Sequence, residues 1–312
     1  MMPRYLRNTV LARAHDSSAR RRPVERAVRL AARGKRLVLA VSGGRDSMAM
    51  LHAAARVARG SVSMVATFDH GTGPAATRAA ALVASEAGAL GFPVVIGHAM
   101  NTGKSEAEWR AMRLSFLRDV AQRADAVVAT AHTRDDQVET VLMRALRDAG
   151  ARGLAGLYAL GEFERPLLEV SRAEVASYAA SVGARWLEDP TNESTRHLRN
   201  RVRRDLLPAL SRVRPGFEDD VLRVARRAAN WRGVLEAVLT EAVGVTPLRE
   251  GLAVTARSLA GLSAEELAVL WPAIAARAGL RMDWRGTDRA VAFTTAGKVR
   301  SEEHTSELQS QR

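Results

Sequence analysis

The chain has 312 residues, 47% of them hydrophobic, a formal charge of +13 and no cysteine. Disulfides, thiolate metal sites and thiol nucleophiles are therefore excluded, and the chain suits a reducing, cytoplasmic compartment. No apolar run approaches the roughly 18 residues that cross a bilayer, and no apolar signal-like core opens the sequence, so no membrane partner is expected.

Length and hydrophobic content suit one large domain and a smaller one. The charge is clustered: residues 1–35 sum to +8, residues 196–232 to +7, and the rest of the chain to −2. Clustered positive charge suits a polyanion such as nucleic acid. Mutational bias in an Ala- and Arg-rich chain is the alternative, but bias does not explain the clustering.

In chain order, residues 1–35 read as a basic extension, partly helical, with Val24, Val28 and Ala31 at helical spacing. Short apolar runs follow at 37–41, 62–68, 93–98 and 125–131. Helical stretches separate and follow them at 46–58, 77–90, 105–123 and 134–148. Continuous apolar strands alternating with helices predict an α/β fold, a Rossmann-like parallel sheet with helices on both faces. Such sheets bind ligands at the carboxyl ends of their strands. Those ends are Ser42-Gly43-Gly44, Asp69-His70-Gly71 and Ala131-His132.

After Gly150 the rhythm loosens. A short run at 165–170 precedes a helix over about 172–182, a polar loop (WLEDPTNEST) and a very basic helix from Arg196 to Leu210. Pro215-Gly216 marks the expected boundary between a 36–215 catalytic domain and a small helical C-terminal domain over 216–299. That second domain is expected to be cut short. Residues 300–312 break the compositional bias and read as a non-native tail.

Ser42-Gly43-Gly44 lies between a strand and a helix start. Two glycines let the backbone approach a ligand and turn its N–H groups inward, and the helix adds its positive end, which suits phosphate. Ser42 and Ser47 can donate to the same oxygens. Asp46 stands where a nucleotide loop of the familiar kind carries a lysine. A carboxylate beside phosphate is repulsive unless a cation such as Mg²⁺ lies between them. An ordinary turn with Asp46 and Ser47 capping the helix is the alternative. Gly71-x-Gly73-x-x-Ala76 mimics a dinucleotide fingerprint, but Pro74 and the lack of a downstream acidic residue make it a loop.

His132 ends a strand, and Asp135, Asp136 and Glu139 follow in the first turns of a helix. They suit metal or base contact at the same sheet edge, or simply complement the helix dipole. Arg199 and Arg203 share one helix face, suited to phosphate or a base, or to solvent alone. Arg110 and Arg113 are three apart, a spacing suited to a triphosphate.

SGGRDS, residues 42–47, resembles the SGGxDS signature of the PP-loop ATP pyrophosphatases. The resemblance implies a five-stranded parallel sheet and cleavage of ATP between its α and β phosphates. It also implies pyrophosphate held by backbone N–H groups and Mg²⁺, with no need for the lysine. Further segments resemble the tRNA(Ile)-lysidine synthetase family in consistent order over about residues 36–215. Phe68-Asp69-His70-Gly71 resembles its VDHG. SEAEWRAMRLSFL resembles NLEAAARxxRYxFL, with Glu106, Arg110 and Arg113 matching. TAHTRDDQVET resembles AHHxDDQxET, and RPLL recurs at Arg165–Leu168. DPTNESTRHLRNRVRRDLLPAL resembles DxSNxxxxxxRNxIRxxLLPxL at Asp189, Asn192, Arg199, Asn200, Arg203 and Pro208. Thr133, Leu114 and Thr72-Gly73 depart from the family pattern.

The resemblance implies a ligase using ATP and Mg²⁺. It joins free lysine to carbon two of the wobble cytidine of a CAU-anticodon isoleucine tRNA, through an adenylated intermediate. The candidate catalytic residues are Asp46, His132, Asp136 and Arg203. Ser42, Gly43, Gly44, Arg45, Asp46, Ser47, Asp69, His70, Arg110 and Arg113 are candidates for ATP. Arg199, Asn200 and Arg203 are candidates for tRNA, and Asp46 and Asp136 for the metal. Homodimerisation stays open. The rival readings are a tRNA thiolase, disfavoured without cysteine, a non-catalytic RNA-binding relative, disfavoured by the retained carboxylates, and a nicotinamide oxidoreductase, disfavoured by the failed fingerprint.

Overall fold

A computed structural model describes residues 22–71, 73–99, 105–159, 161–188, 197–241, 243–248, 251–280 and 282–296. Most of the basic extension, Thr72, Asp189, Asn192 and the 300–312 tail lie outside those residues.

Four strands, β1 (Leu37–Ala40), β2 (Val62–Asp69), β3 (Val94–His98) and β4 (Val127–Thr130), form a parallel sheet in the order β3-β2-β1-β4. Leu37, Val38 and Leu39 are all fully buried, and successive side chains feed different cores. Leu37 and Leu39 pack with residues of α1 (22–31), α2 (Arg45–Val57), α3 (Pro74–Ala89) and α7 (Arg172–Ser181). Val38 packs with Leu117 and Val120 of α4 (Glu106–Arg123). A strand covered on both faces has no solvent side, so its sequence shows no polar alternation. In α1 the buried residues are Val24 and Val28, and Ala32 just after it is buried too; Ala31 is only half-buried.

The resemblance implies five strands; among the described residues the sheet has four. Beside β4 the chain makes a single parallel bridge, Ala129 to Glu164, with Glu164 N donating to Val128 O at 2.8 Å. Pro166 follows two residues later and has no N–H to extend a ladder. The chain turns instead, with Leu168 N donating to Arg165 O and Val170 N to Leu167 O.

The helix α5 (Arg134–Ala145) leads through α6 (Ala151–Leu154) to this turn and then to α7. The expected single basic helix is three pieces: α8 (Leu198–Arg201), a wide π turn at Val202–Leu206, and α9 (Leu207–Val213). Leu207 N donates to Val202 O, five residues back. Pro208 explains the widening, because its ring crowds the carbonyl four residues earlier.

A long helix, α10 (Phe217–Glu241), begins just after Pro215-Gly216, and the two compact units divide within it, at Arg226/Arg227. The second unit is not purely helical. An antiparallel hairpin, β5 (Val245–Leu248) with β6 (Gly251–Val254), precedes α11 (Ala256–Leu259), α12 (Ala264–Arg277) and α13 (Trp284–Thr295). Leu235, Leu239, Leu267 and Ile274 form its core.

Candidate active site

The glycine turn after β1 is closed upon itself. Ser47 Oγ donates to Gly44 O at 2.8 Å and accepts from Ser42 N at 3.2 Å, and the two hydroxyls lie 3.2 Å apart. These bonds brace the loop. Gly43 has φ +84°, and a Cβ there would meet Ala79 at 3.1 Å. Glycine is required on both counts. The helix starts at Arg45, and Gly44 caps it with no side-chain hydrogen bond. The first-turn amides of α2 thus carry no side-chain acceptor and suit an anion.

Asp46 sits one residue into that helix, ion-paired to Arg45 at 3.2 Å. Burial raises its pKa, against the lowering pull of Arg45; Asp136 raises it further and Arg172 lowers it. Asp46 and Asp136 therefore sense each other across two strand ends.

Asp136 is held by its own helix start. Thr133 caps α5, and Asp136 Oδ2 accepts from Thr133 N at 2.8 Å and from its hydroxyl at 2.9 Å. Burial opposes ionisation of Asp136, but Thr133, Arg172, Arg199 and His132 together lower its pKa. Three arginines converge on the fully buried Glu139. Arg203 Nε donates to Oε1 at 2.7 Å, Arg172 lies at 3.0 Å and Arg199 at 3.0 Å. Arg172 also reaches Asp136 at 3.0 Å, and its backbone N donates to Asp135 Oδ2 at 2.8 Å.

His132 Nδ1 lies 3.0 Å from the Thr130 hydroxyl. Burial pushes its pKa down to about 4, helped by Arg165, Arg199 and Arg113 and opposed by Asp136. The imidazole is neutral at physiological pH. His70 is likewise lowered, by burial and then by Arg113. Arg113 is lowered by burial and by Arg110. Asp69 faces inward: Oδ1 accepts from Gly71 N at 2.8 Å and Oδ2 from the Thr77 hydroxyl at 2.9 Å, which fixes the turn into α3.

The structure thus joins Asp46, Asp136 and His132, and links His132 to Arg113 and Arg113 to His70, by direct electrostatic influence. Asn200 is buried, and Arg110 is exposed. Glu139, Arg199 and Arg203 form one ion-pair cluster rather than a free basic face. Sequence reasoning missed Arg172, although Ser171 and Glu174 around it form the capping box that announces its helix. It also assigned no role to Thr133, whose hydroxyl orients Asp136. Gln137 is buried and holds the following segment, donating to Ala155 O at 2.9 Å and accepting from Leu157 N at 2.5 Å.

Comparison with known proteins bears on this site. The PP-loop domain family matches residues 17–210, more than half the chain. The tRNA(Ile)-lysidine synthase of Salinispora arenicola is 38% identical over 266 residues, covering 81% of this chain and 79% of that protein. This chain belongs to the tRNA(Ile)-lysidine synthase family. The lysidine synthase of Dehalococcoides mccartyi is 36% identical over 233 residues, 68% of this chain but 50% of its own length. The chain therefore spans about half of some curated relatives and most of others. The U34-tRNA thiolase of Methanococcus maripaludis superposes with a TM-score of 0.58 at 18% identity, covering 69% of this chain and 80% of that one, and shares the fold.

The PP-loop of a lysidine synthase implies ATP. Mg²⁺ takes one or two carboxylates and completes its shell with phosphate oxygens and water. Asp46 and Asp136 supply two carboxylates near enough to raise one another's proton affinity, which fits that demand. Among the described residues no group of three or more His, Asp and Glu is arranged as an all-protein cage.

Proposed function

We propose that the protein ligates free lysine to carbon two of the wobble cytidine of the CAU-anticodon isoleucine tRNA. ATP first adenylates the cytidine carbonyl oxygen and releases pyrophosphate. The lysine amine then attacks carbon two, AMP leaves with that oxygen, and the amine gives up a proton. The observation that carries this reading is membership of the lysidine synthase family, in a chain whose phosphate loop holds Asp46 in place of lysine.

In this reading the first-turn amides of α2 and the Ser42–Ser47 brace hold the pyrophosphate. Asp46 and Asp136 would hold Mg²⁺, which when bound neutralises phosphate charge as the anhydride breaks. Arg199 and Arg203, fixed by Glu139, position the cytidine, and Arg110 and Arg113 face phosphate. His132 stays neutral, so it offers a hydrogen bond without adding positive charge. Burial of such groups removes competing water and strengthens each charge interaction. The thiolase alternative is disfavoured because sulfur relay through cysteine is impossible in a chain that has none.

The test combines purified protein, ATP, Mg²⁺, labelled lysine and a CAU-anticodon isoleucine tRNA transcript. Acid-stable label on the RNA, with AMP and pyrophosphate formed in equal amounts, is the expected result. ADP and orthophosphate as products would overturn the reading.

A further inference from the structure

Among the described residues, three buried polar atoms on or beside the first turns of α4 lack a hydrogen-bond partner. His70 Nδ1, Arg113 Nε and the indole Nε1 of Trp109 are each buried and make no hydrogen bond. Native proteins pair nine-tenths or more of such atoms, so each exception points to a missing partner. Arg113 and His70 interact electrostatically. Trp109 precedes Arg113 by four residues, so the two side chains neighbour each other on one face of the helix.

The donor set restricts the ligand. An indole N–H and a guanidinium N–H only donate, which excludes a metal ion or an ammonium group. Arg110 adds positive charge beside Arg113. An anionic oxygen satisfies all of these groups.

We infer that Trp109 donates a hydrogen bond from its indole N–H to a phosphate oxygen of the bound substrate, beside Arg113 and His70. The oxygen belongs to ATP or to the RNA phosphodiester. The inference rests on the proposed function, which supplies both sources.

Trp109→Phe keeps an aromatic ring and removes the donor. Its affinity for ATP with Mg²⁺ and for the CAU-anticodon tRNA transcript is measured separately, alongside the melting temperature of the ligand-free protein. Loss of one hydrogen bond to a charged oxygen is expected to weaken binding about tenfold. Weakening in the ATP arm assigns the oxygen to ATP, weakening in the RNA arm assigns it to the phosphodiester, and weakening in both places it where the two meet. The ligand-free melting temperature shows that the variant stays folded at the assay temperature. Wild-type affinity of the folded variant in both arms overturns the inference. A wild-type protein that binds neither ligand instead refutes the proposed function itself.

Discussion

Arg203 grips Glu139 through both carboxylate oxygens, Nε to Oε1 at 2.7 Å and Nη2 to Oε2 at 3.1 Å. The carboxylate is fully buried, and Arg172 and Arg199 also touch it. One negative charge thus holds three cations from two distant segments against α5.

Glu139→Gln is expected to be among the most destabilising single changes in the first unit. It leaves three guanidinium groups facing one another around a neutral amide. Removing one partner of a buried ion pair costs about 3 kcal/mol or more. Arg203→Ala should cost less, because two cations still serve the carboxylate. Urea unfolding of both variants checks the order, and equal or reversed costs would show that Glu139 is not the hub.

His132 predicts a pH dependence of stability. Its pKa falls from the ordinary 6.5 to about 4, chiefly through burial. As pH drops below 6.5 the unfolded chain takes up a proton that the folded chain refuses. Stability from this group is therefore complete above pH 6.5 and is lost as pH falls toward 4, by roughly 2 kcal/mol at pH 5. His132→Gln should flatten the difference in urea midpoint between pH 7 and pH 5. An unchanged slope would place the imidazole in water.

Gly43→Ala tests the loop backbone. A left-handed alanine costs about 1–2 kcal/mol, and the added methyl presses on Ala79 at 3.1 Å. ATP affinity should fall further than stability, because the turn presents the first-turn amides of α2. A variant that melts lower yet binds ATP as wild type does would separate the turn from the ligand.

Thr133→Val removes the hydroxyl that caps α5 and bonds Asp136 at 2.9 Å. Loss of the cap is expected to cost about 1 kcal/mol. Turnover should fall by more than that cost explains, since Asp136 loses its orientation, and Thr133→Ser should restore it. Full turnover in Thr133→Val would refute the orienting role.

Asp46→Ala should retain the melting profile of the parent, or exceed it, because burial disfavours the charge that it removes. Pyrophosphate release in the absence of lysine should vanish. Retained release would remove Asp46 from the chemistry.

Much of the catalytic unit was legible in sequence because its signals are local. Leu37 to Val41 run without a polar residue, which suits a strand covered on both faces. Ser42-Gly43-Gly44 between strand and helix exposes its purpose because glycine is the residue that allows φ +84° at Gly43. Asp46 in place of lysine was visible in the same way.

The sequence could not show what depends on segments far apart in the chain. Ser47 Oγ also braces its own loop by donating to Gly44 O, a bond that its place in the motif does not announce. Arg199 and Arg203 read as a pair suited to phosphate or a base, but their spacing gave no sign that α8 and the π turn carry Arg203 to Glu139, 64 residues away. Arg172 looked unremarkable, yet it spans Asp135, Asp136 and Glu139. Spacing along a strand or helix fixes which side chains share a face, and that much a sequence carries. Which faces meet, and so which charges find partners and which donors stay unpaired, is settled only when the sheet and its helices pack.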